Sequence, residues 1–175
     1  MGLEYRNLDT ATRAEMAAEV AMDTAGGSIY LSSRLTEQGA REWPELLLAA
    51  VTTGTDDSLA QTLASKGLLK THEESHRNGK SFTKAVPVTA ATTLAEGEFN
   101  RMYLRGIASR GVREGRDIEV YRGRQSEKPR SESEALVGQR MAADTLLHDL
   151  RTNIGVDVAL GLPPGPNSGL TGELT

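Results

Sequence analysis

Cysteine is missing from this chain, which removes disulfide frameworks, thiolate metal sites and cysteine nucleophiles from consideration. Long apolar runs are missing too. No window approaches 18 apolar residues, and the start, MGLEYRNLDTATRAEM, carries acids from Glu4 onward with no basic stretch leading into an apolar one. A signal peptide or membrane span is therefore not expected, and a soluble protein made in the cytoplasm is. Also lacking are G-x-x-x-x-G-K-[ST], G-x-G-x-x-G after a strand, G-x-S-x-G and an acidic calcium loop. The corresponding phosphate, dinucleotide, acyl-transfer and calcium chemistries have no anchor. Histidine is scarce, with His72, His76 and His148 as the whole supply.

What is present suffices for a modest core: 38% of 175 residues are hydrophobic, enough for one domain or two small ones. The net charge of −4 conceals an alternation along the chain. Residues 1–60 carry 4 basic and 10 acidic side chains, whereas residues 101–130 carry 9 basic and 4 acidic. Such patterning favours partners that are themselves patterned, copies of the same protein among them, over a bare polyanion.

The first half reads as three helices and a hairpin. NLDTATRAEMAAEVAMDTAGG opens with Asp9 or Thr10 as N-cap, sets Met16 and Val20 on one face, and stops at Gly26-Gly27. SIYLSSRL is short and β-rich. Thr36 then caps EQGAREWPELLLAAVTT, whose Trp43, Leu46, Leu47, Ala50 and Val51 form an apolar face; Pro44 inside it leaves a start near Trp43 as the alternative. Residues Thr55 to Asp57 offer caps for a third, smaller helix ending at Gly67.

Next stands THEESHRNGK, which contains His72, Glu73 and His76 in the H-E-x-x-H spacing of zinc peptidases. That motif works on a helix, where positions i and i+4 bring two imidazoles to one metal. Here Asn78-Gly79 lies between two extended segments, a type I′ turn signal. The turn places Arg77 opposite Lys80, Ser75 opposite Phe82, Glu73 opposite Lys84 and Thr71 opposite Val86. On a strand the two histidines stand about 13 Å apart, at roughly 3.3 Å per residue, and cannot share a zinc. A solvated hairpin arm is the expectation, with no metal and no cofactor.

Helix, short strand, helix, helix, hairpin is the order of a winged helix, and GLLKTHEESHRNGKSFTKAVPV resembles a wing. The resemblance implies nucleic-acid binding as one hypothesis. Against it, TDDSLAQTLAS in the recognition-helix position has two aspartates and no basic residue before Lys66, although phosphate neutralisation supplies most of such affinity. Asp56 and Asp57 read as capping residues rather than as a catalytic carboxylate pair.

In the second half, TAATTLAEGEFNRMYLRGIASRGVREG reads as the longest helix, weakened by Gly97, Gly106 and Gly111, which either admit a close neighbour or break it near Gly97. RDIEVYRG is a strand with Ile118 and Val120 on one face and Tyr121 on the other. SESEALVGQRMAADTLLHDLRTN is the last helix, with Ser131 or Ser133 at its start and His148 on its surface. Arg101, Arg105, Arg110, Arg113, Arg116, Arg122, Arg124, Lys128 and Arg130 interleave with Glu114, Asp117, Glu119 and Glu127, a pattern for ion pairs within or between subunits more than for tracking phosphates. The tail IGVDVALGLPPGPNSGLTGELT, with Pro163, Pro164 and Pro166, cannot be helical. Holding it in place costs entropy that no element of its own offsets, so an arm laid over a neighbouring subunit is the simplest arrangement.

LAEGEFNRMYLRGIASRG, IEVYRGR, PRSESEALVGQR and GLPPGPNSGL resemble a group of actinobacterial and actinophage proteins associated with phage structural-gene clusters. The resemblance implies a virion protein: a minor capsid, decoration or connector component, residing in the virion or in the host cytoplasm during assembly. The expected fold is α+β and mainly helical, with hairpin strands at about 68–77 and 80–88, a short extra strand and an extended C-terminal arm. Three parts are expected: a winged-helix-like part over 1–88, a helix-strand-helix part over 89–153 and the arm over 154–175. No enzymatic activity is expected, and the partners are copies of the chain or a major shell or connector protein, with a nucleic-acid-binding regulator as the alternative. The contact residues expected are Arg116, Arg122, Arg124, Lys128 and Arg130 in the basic segment, and Leu162, Pro163, Pro164, Pro166 and Leu170 in the arm. The arm is expected to be removable without unfolding the helices.

Overall fold

The computed structural model describes residues 2–77, 79–125, 131–154 and 169–175. In chain order the elements are α1 (Thr10–Gly26), α2 (Glu37–Thr53), α3 (Asp56–Ser65), β1 (His72–Arg77), β2 (Lys80–Ala85), α4 (Ala90–Glu114), β3 (Ile118–Arg122), α5 (Ser131–Glu134), β4 (Arg140–Met141), α6 (Ala143–Thr152) and β5 (Leu170–Leu174). The fold is α+β: helices with a two-stranded hairpin, β1-β2, and a separate antiparallel sheet in the order β4-β3-β5.

Local chemistry sets the helix boundaries. The Asp9 carboxylate accepts from the Thr12 amide at 2.8 Å, and Gly27 closes α1 in the left-handed region at φ 67°. Thr36 caps α2 through the Gly39 amide, and Thr55 and Ser58 form a reciprocal capping box on α3. Helix α2 runs unbroken through Pro44, so it does not start at Trp43. Burying Trp43, Leu47, Ala50 and Val51 outweighs the roughly 3 kcal/mol that an interior proline costs.

Helix α4 is the centre of the molecule. It runs 25 residues without a break at Gly97, and α1, α2, α3, α6 and the sheet all pack on it. Phe99, Met102, Tyr103 and Ile107 are fully buried. Two of its glycines exist for proximity. A Cβ on Gly106 would lie 2.8 Å from Met16 Cγ and 3.1 Å from the Thr12 carbonyl of α1, and one on Gly111 would lie 2.7 Å from Ala143 Cβ of α6.

Four expectations are corrected. The hairpin strands are shorter than 68–77 and 80–88, and the short extra strand at SIYLSSRL is reduced to a single bridge between Leu35 and Leu69. The segment from Ser131 is not one helix. Gly138 adopts φ 83°, its amide donates to the Val120 carbonyl, and Arg140–Met141 pairs with β3 before α6 begins. Satisfying the open edge of β3 outweighs continuing the helix. Both faces of β3 are then covered, with Tyr121 as buried as Ile118 and Val120.

The fourth correction concerns the end of the chain. Leu170–Leu174 is not an arm reaching outward but the strand β5, paired with β3 along its whole length. Leu170, Thr171 and Leu174 are buried. Asn100 of α4 donates to the Leu170 carbonyl at 3.0 Å, Tyr103 Oη donates to the Gly172 carbonyl at 3.0 Å, and the Leu174 amide donates to Asn7 Oδ1 at 2.9 Å. Leu162, Pro163, Pro164 and Pro166 lie outside the described residues.

Truncation before Leu170 is therefore expected to destabilise the protein severely, contrary to the removable-arm expectation. Losing the burial of Leu170 and Leu174 alone forfeits about 1.5–3 kcal/mol each, and Tyr103 and Asn100 lose their β5 partners. Thermal unfolding checks this; an unchanged midpoint in the truncated protein would contradict it.

Candidate interaction surface

The hairpin leaves the body at Glu73. Arg34, next to the Leu35 bridge, donates to Glu73 from Nε at 2.7 Å and from Nη2 at 3.1 Å, and Lys84 Nζ reaches the same carboxylate at 3.3 Å. The bidentate guanidinium holds the Glu73 carboxyl below the usual carboxylate range. Beyond this anchor the two strands pack chiefly on each other. Every residue of β2 is exposed, as are His72, Glu74, His76 and Arg77 of β1.

The register is the one the Asn-Gly turn dictates, Arg77 with Lys80, Ser75 with Phe82 and Glu73 with Lys84. The H-E-x-x-H residues thus lie along a strand, and His76 Nδ1 faces Ser81 Oγ at 2.9 Å on its own face. Among the described residues no group of three or more histidines and carboxylates is placed to hold a metal. Phe82, 44% exposed, sits among Arg77, Lys80 and Lys84, and Arg77 directly faces Lys80, like charge to like.

Where they are described, the arginines of the expected basic surface are half-buried and engaged by their own chain. Arg116 donates to the carbonyls of Leu174 at 3.0 Å and Thr175 at 3.3 Å and pairs with Glu114. Arg122 pairs with Glu134, and Arg124 with the buried Glu96. These three arginines bind β5, α5 and α4 of their own chain. Leu170 is in the core, and Lys128 and Arg130 lie outside the described residues. Asp56 and Asp57 do more than begin α3: Asp56 accepts from the Leu3 amide at 2.9 Å and Asp57 from the Gly2 amide at 2.8 Å, so residues 2–3 lie against the start of that helix.

A buried ionic cluster joins α1, α4 and α6. Arg105, fully buried, donates to Glu19 at 2.7 Å and to Asp23 at 2.6 and 3.0 Å, and Arg151 of α6 pairs with the same Glu19. Glu98 lies beside it, with Oε1 3.4 Å from Arg101 Nε and with Oε2 buried and unbonded. Glu98 also lines a cleft of about 100 Å³ with Tyr30, Ser32, Arg34, Leu69 and Thr93. That volume suits a few waters or one side-chain tip, well under the roughly 300 Å³ of small-molecule sites. Sequence reasoning missed the cluster, yet a signal was there: Glu19 and Asp23 fall at core-facing positions of α1, three residues beyond Met16 and Val20 respectively.

No protein-family model, no curated protein and no solved structure matches the chain. No described helix is long and apolar enough to cross a membrane. His148 is exposed on α6. What the described residues offer is a projecting arm on a tightly pinned body.

Burial raises the Glu98 carboxyl above its ordinary value, against the opposing pull of Arg101. The folded state thus binds this proton more tightly than the unfolded state. The cost of ionising it is absent below the unfolded value and grows as pH rises from there through the raised one. Glu98→Gln is expected to be more stable than the parent at neutral pH and to lose that advantage near pH 4. Urea unfolding at pH 4 and 7 checks this; equal differences at the two pH values would contradict it.

Proposed function

We propose that this protein is a non-catalytic assembly component of a phage-like particle, a minor capsid, decoration or connector protein, that attaches through the β1-β2 arm. The observation that carries the reading is the arm itself. An isolated two-stranded hairpin is marginal in water, and among the described residues this one is tied to the body at its base, by the backbone bridge at Leu35–Leu69 and the Arg34–Glu73 pair, while presenting Phe82 and much of both strand edges to solvent. A partner that covers it recovers the exposed apolar and backbone groups. The partners are copies of the chain or a major shell or connector protein, met in the host cytoplasm during assembly or retained in the virion; the phage setting rests on the sequence resemblance.

A second reading, a nucleic-acid-binding regulator using the hairpin as a wing, draws on the facing cations Arg77 and Lys80. It is the weaker one, because α3 carries no basic side chain within Asp56–Ser65 and its first turn is engaged by residues 2–3.

Replacing residues 73–84 by a two-residue Asn-Gly turn is expected to leave the helical content intact and to reduce co-sedimentation with particles at least tenfold. Incorporation at the parent's level would contradict the reading. Duplex binding that falls steeply with salt and is lost in Arg77→Ala/Lys80→Ala would favour the second.

A further inference from the structure

The two edges of the hairpin are not equivalent. In an antiparallel ladder alternate residues turn their amide and carbonyl to one neighbour, and the residues between turn theirs to the other side. The Val86 amide donates to the Thr71 carbonyl at 2.9 Å, so residues 71, 73, 75 and 77 face β2. On the opposite edge the Lys70 amide donates to the Arg34 carbonyl at 2.8 Å and the Thr36 amide to the Leu68 carbonyl at 2.9 Å. That outer pairing stops at Lys70. His72, Glu74 and His76 therefore point their backbone groups outward, exposed and without a described strand beside them.

We propose that β1 pairs antiparallel with β1 of a second copy of this chain, about a two-fold axis through Ser75, to make a continuous four-stranded sheet. Two-fold pairing requires a residue opposite itself, and the sequence HEESHR is self-complementary about Ser75. Glu74 faces His76 of the second copy, exchanging both backbone hydrogen bonds, and this pair occurs twice. On the other face Glu73 meets Arg77 of the second copy beside Arg34 and Lys84, which already hold it. The same operation on β2, centred on Phe82, would set Lys80 against Lys84, like charges opposed. Lysines on a strand edge are a device against pairing, so β2 is blunted where β1 is open. Six-residue edges bury little area, which makes this a weak contact that counts when many copies are held together. The inference supplies the partner for the assembly reading and rests on it for its purpose.

The absence of cysteine gives a direct test. In this register the two Ser75 residues form a non-hydrogen-bonded pair with Cα atoms about 4.5 Å apart, within disulfide reach of about 4.4–6.8 Å. Full-length Ser75→Cys is expected to oxidise to a covalent dimer, at least tenfold faster than Thr83→Cys on the β2 edge. Adding Glu74→Pro to Ser75→Cys, which removes an outward amide and the Glu74 carboxylate but no hydrogen bond to β2, is expected to abolish the dimer while the melting temperature holds. Failure of Ser75→Cys to cross-link, or equal cross-linking by Thr83→Cys, would overturn the proposal. Incorporation of Glu74→Pro into particles at the parent's level would sink this pairing and leave the assembly reading standing. A cross-linked dimer of a protein that never enters particles would do the reverse.

Discussion

The Arg105 guanidinium, wholly inside the protein and bound by Glu19 and Asp23, is the interaction on which the arrangement of the helices depends. Apolar contacts between α1 and α4 would tolerate several rotations of one helix over the other. A planar guanidinium that must satisfy two carboxylates tolerates far fewer. It fixes the crossing at which Gly106 lets Met16 approach, and Glu19 passes the constraint to α6 through Arg151. Removing one member of a buried pair costs about 3–5 kcal/mol, because the remaining charge has no water to turn to. A whole domain is stable by only about 5–15 kcal/mol.

Around that fixed centre the remaining polar groups tie loose strands to the body. Tyr103 and Asn100 reach from α4 to the carbonyls of β5, Tyr121 donates to the Glu4 carbonyl, and Asp56 and Asp57 take the amides of residues 2 and 3. The basic segment is used the same way, Arg116 on the end of β5 and Arg124 on Glu96. The hairpin is the contrast. Its side chains beyond Glu73 make few ties to the body among the described residues, its apolar Phe82 is partly exposed, and no described strand pairs with the outer edge of β1. The described buried polar groups thus hold the body together, and the β arm is the described element least engaged with it.

Much of the fold was legible because it rests on local rules. The caps at Asp9, Thr36 and Thr55, the left-handed glycine after α1 and the Asn-Gly register all follow from short-range geometry. The same register sets His72 and His76 along a strand and not one turn apart on a helix. The misses are non-local. Nothing near Gly138 states that an edge of β3, some twenty residues earlier, must be covered, so a helix was expected where β4 forms. LTGEL after a proline-rich stretch gives no hint that Asn100 and Tyr103 await its carbonyls. That the arginines of 116–124 form ion pairs was legible from the interleaved acids, but a linear sequence does not show that Glu96, Glu134 and the β5 carbonyls are the groups that meet them.

Amide hydrogen exchange, comparing the isolated protein at low concentration with the same chain inside assembled particles, tests the attachment account most directly. The account predicts that the amides of His72, Glu74 and His76 exchange freely in the isolated protein and become protected in the particle, while those of α4 are protected in both. Equal exchange of the β1 amides in the two states, with protection gained elsewhere on the body, would contradict it.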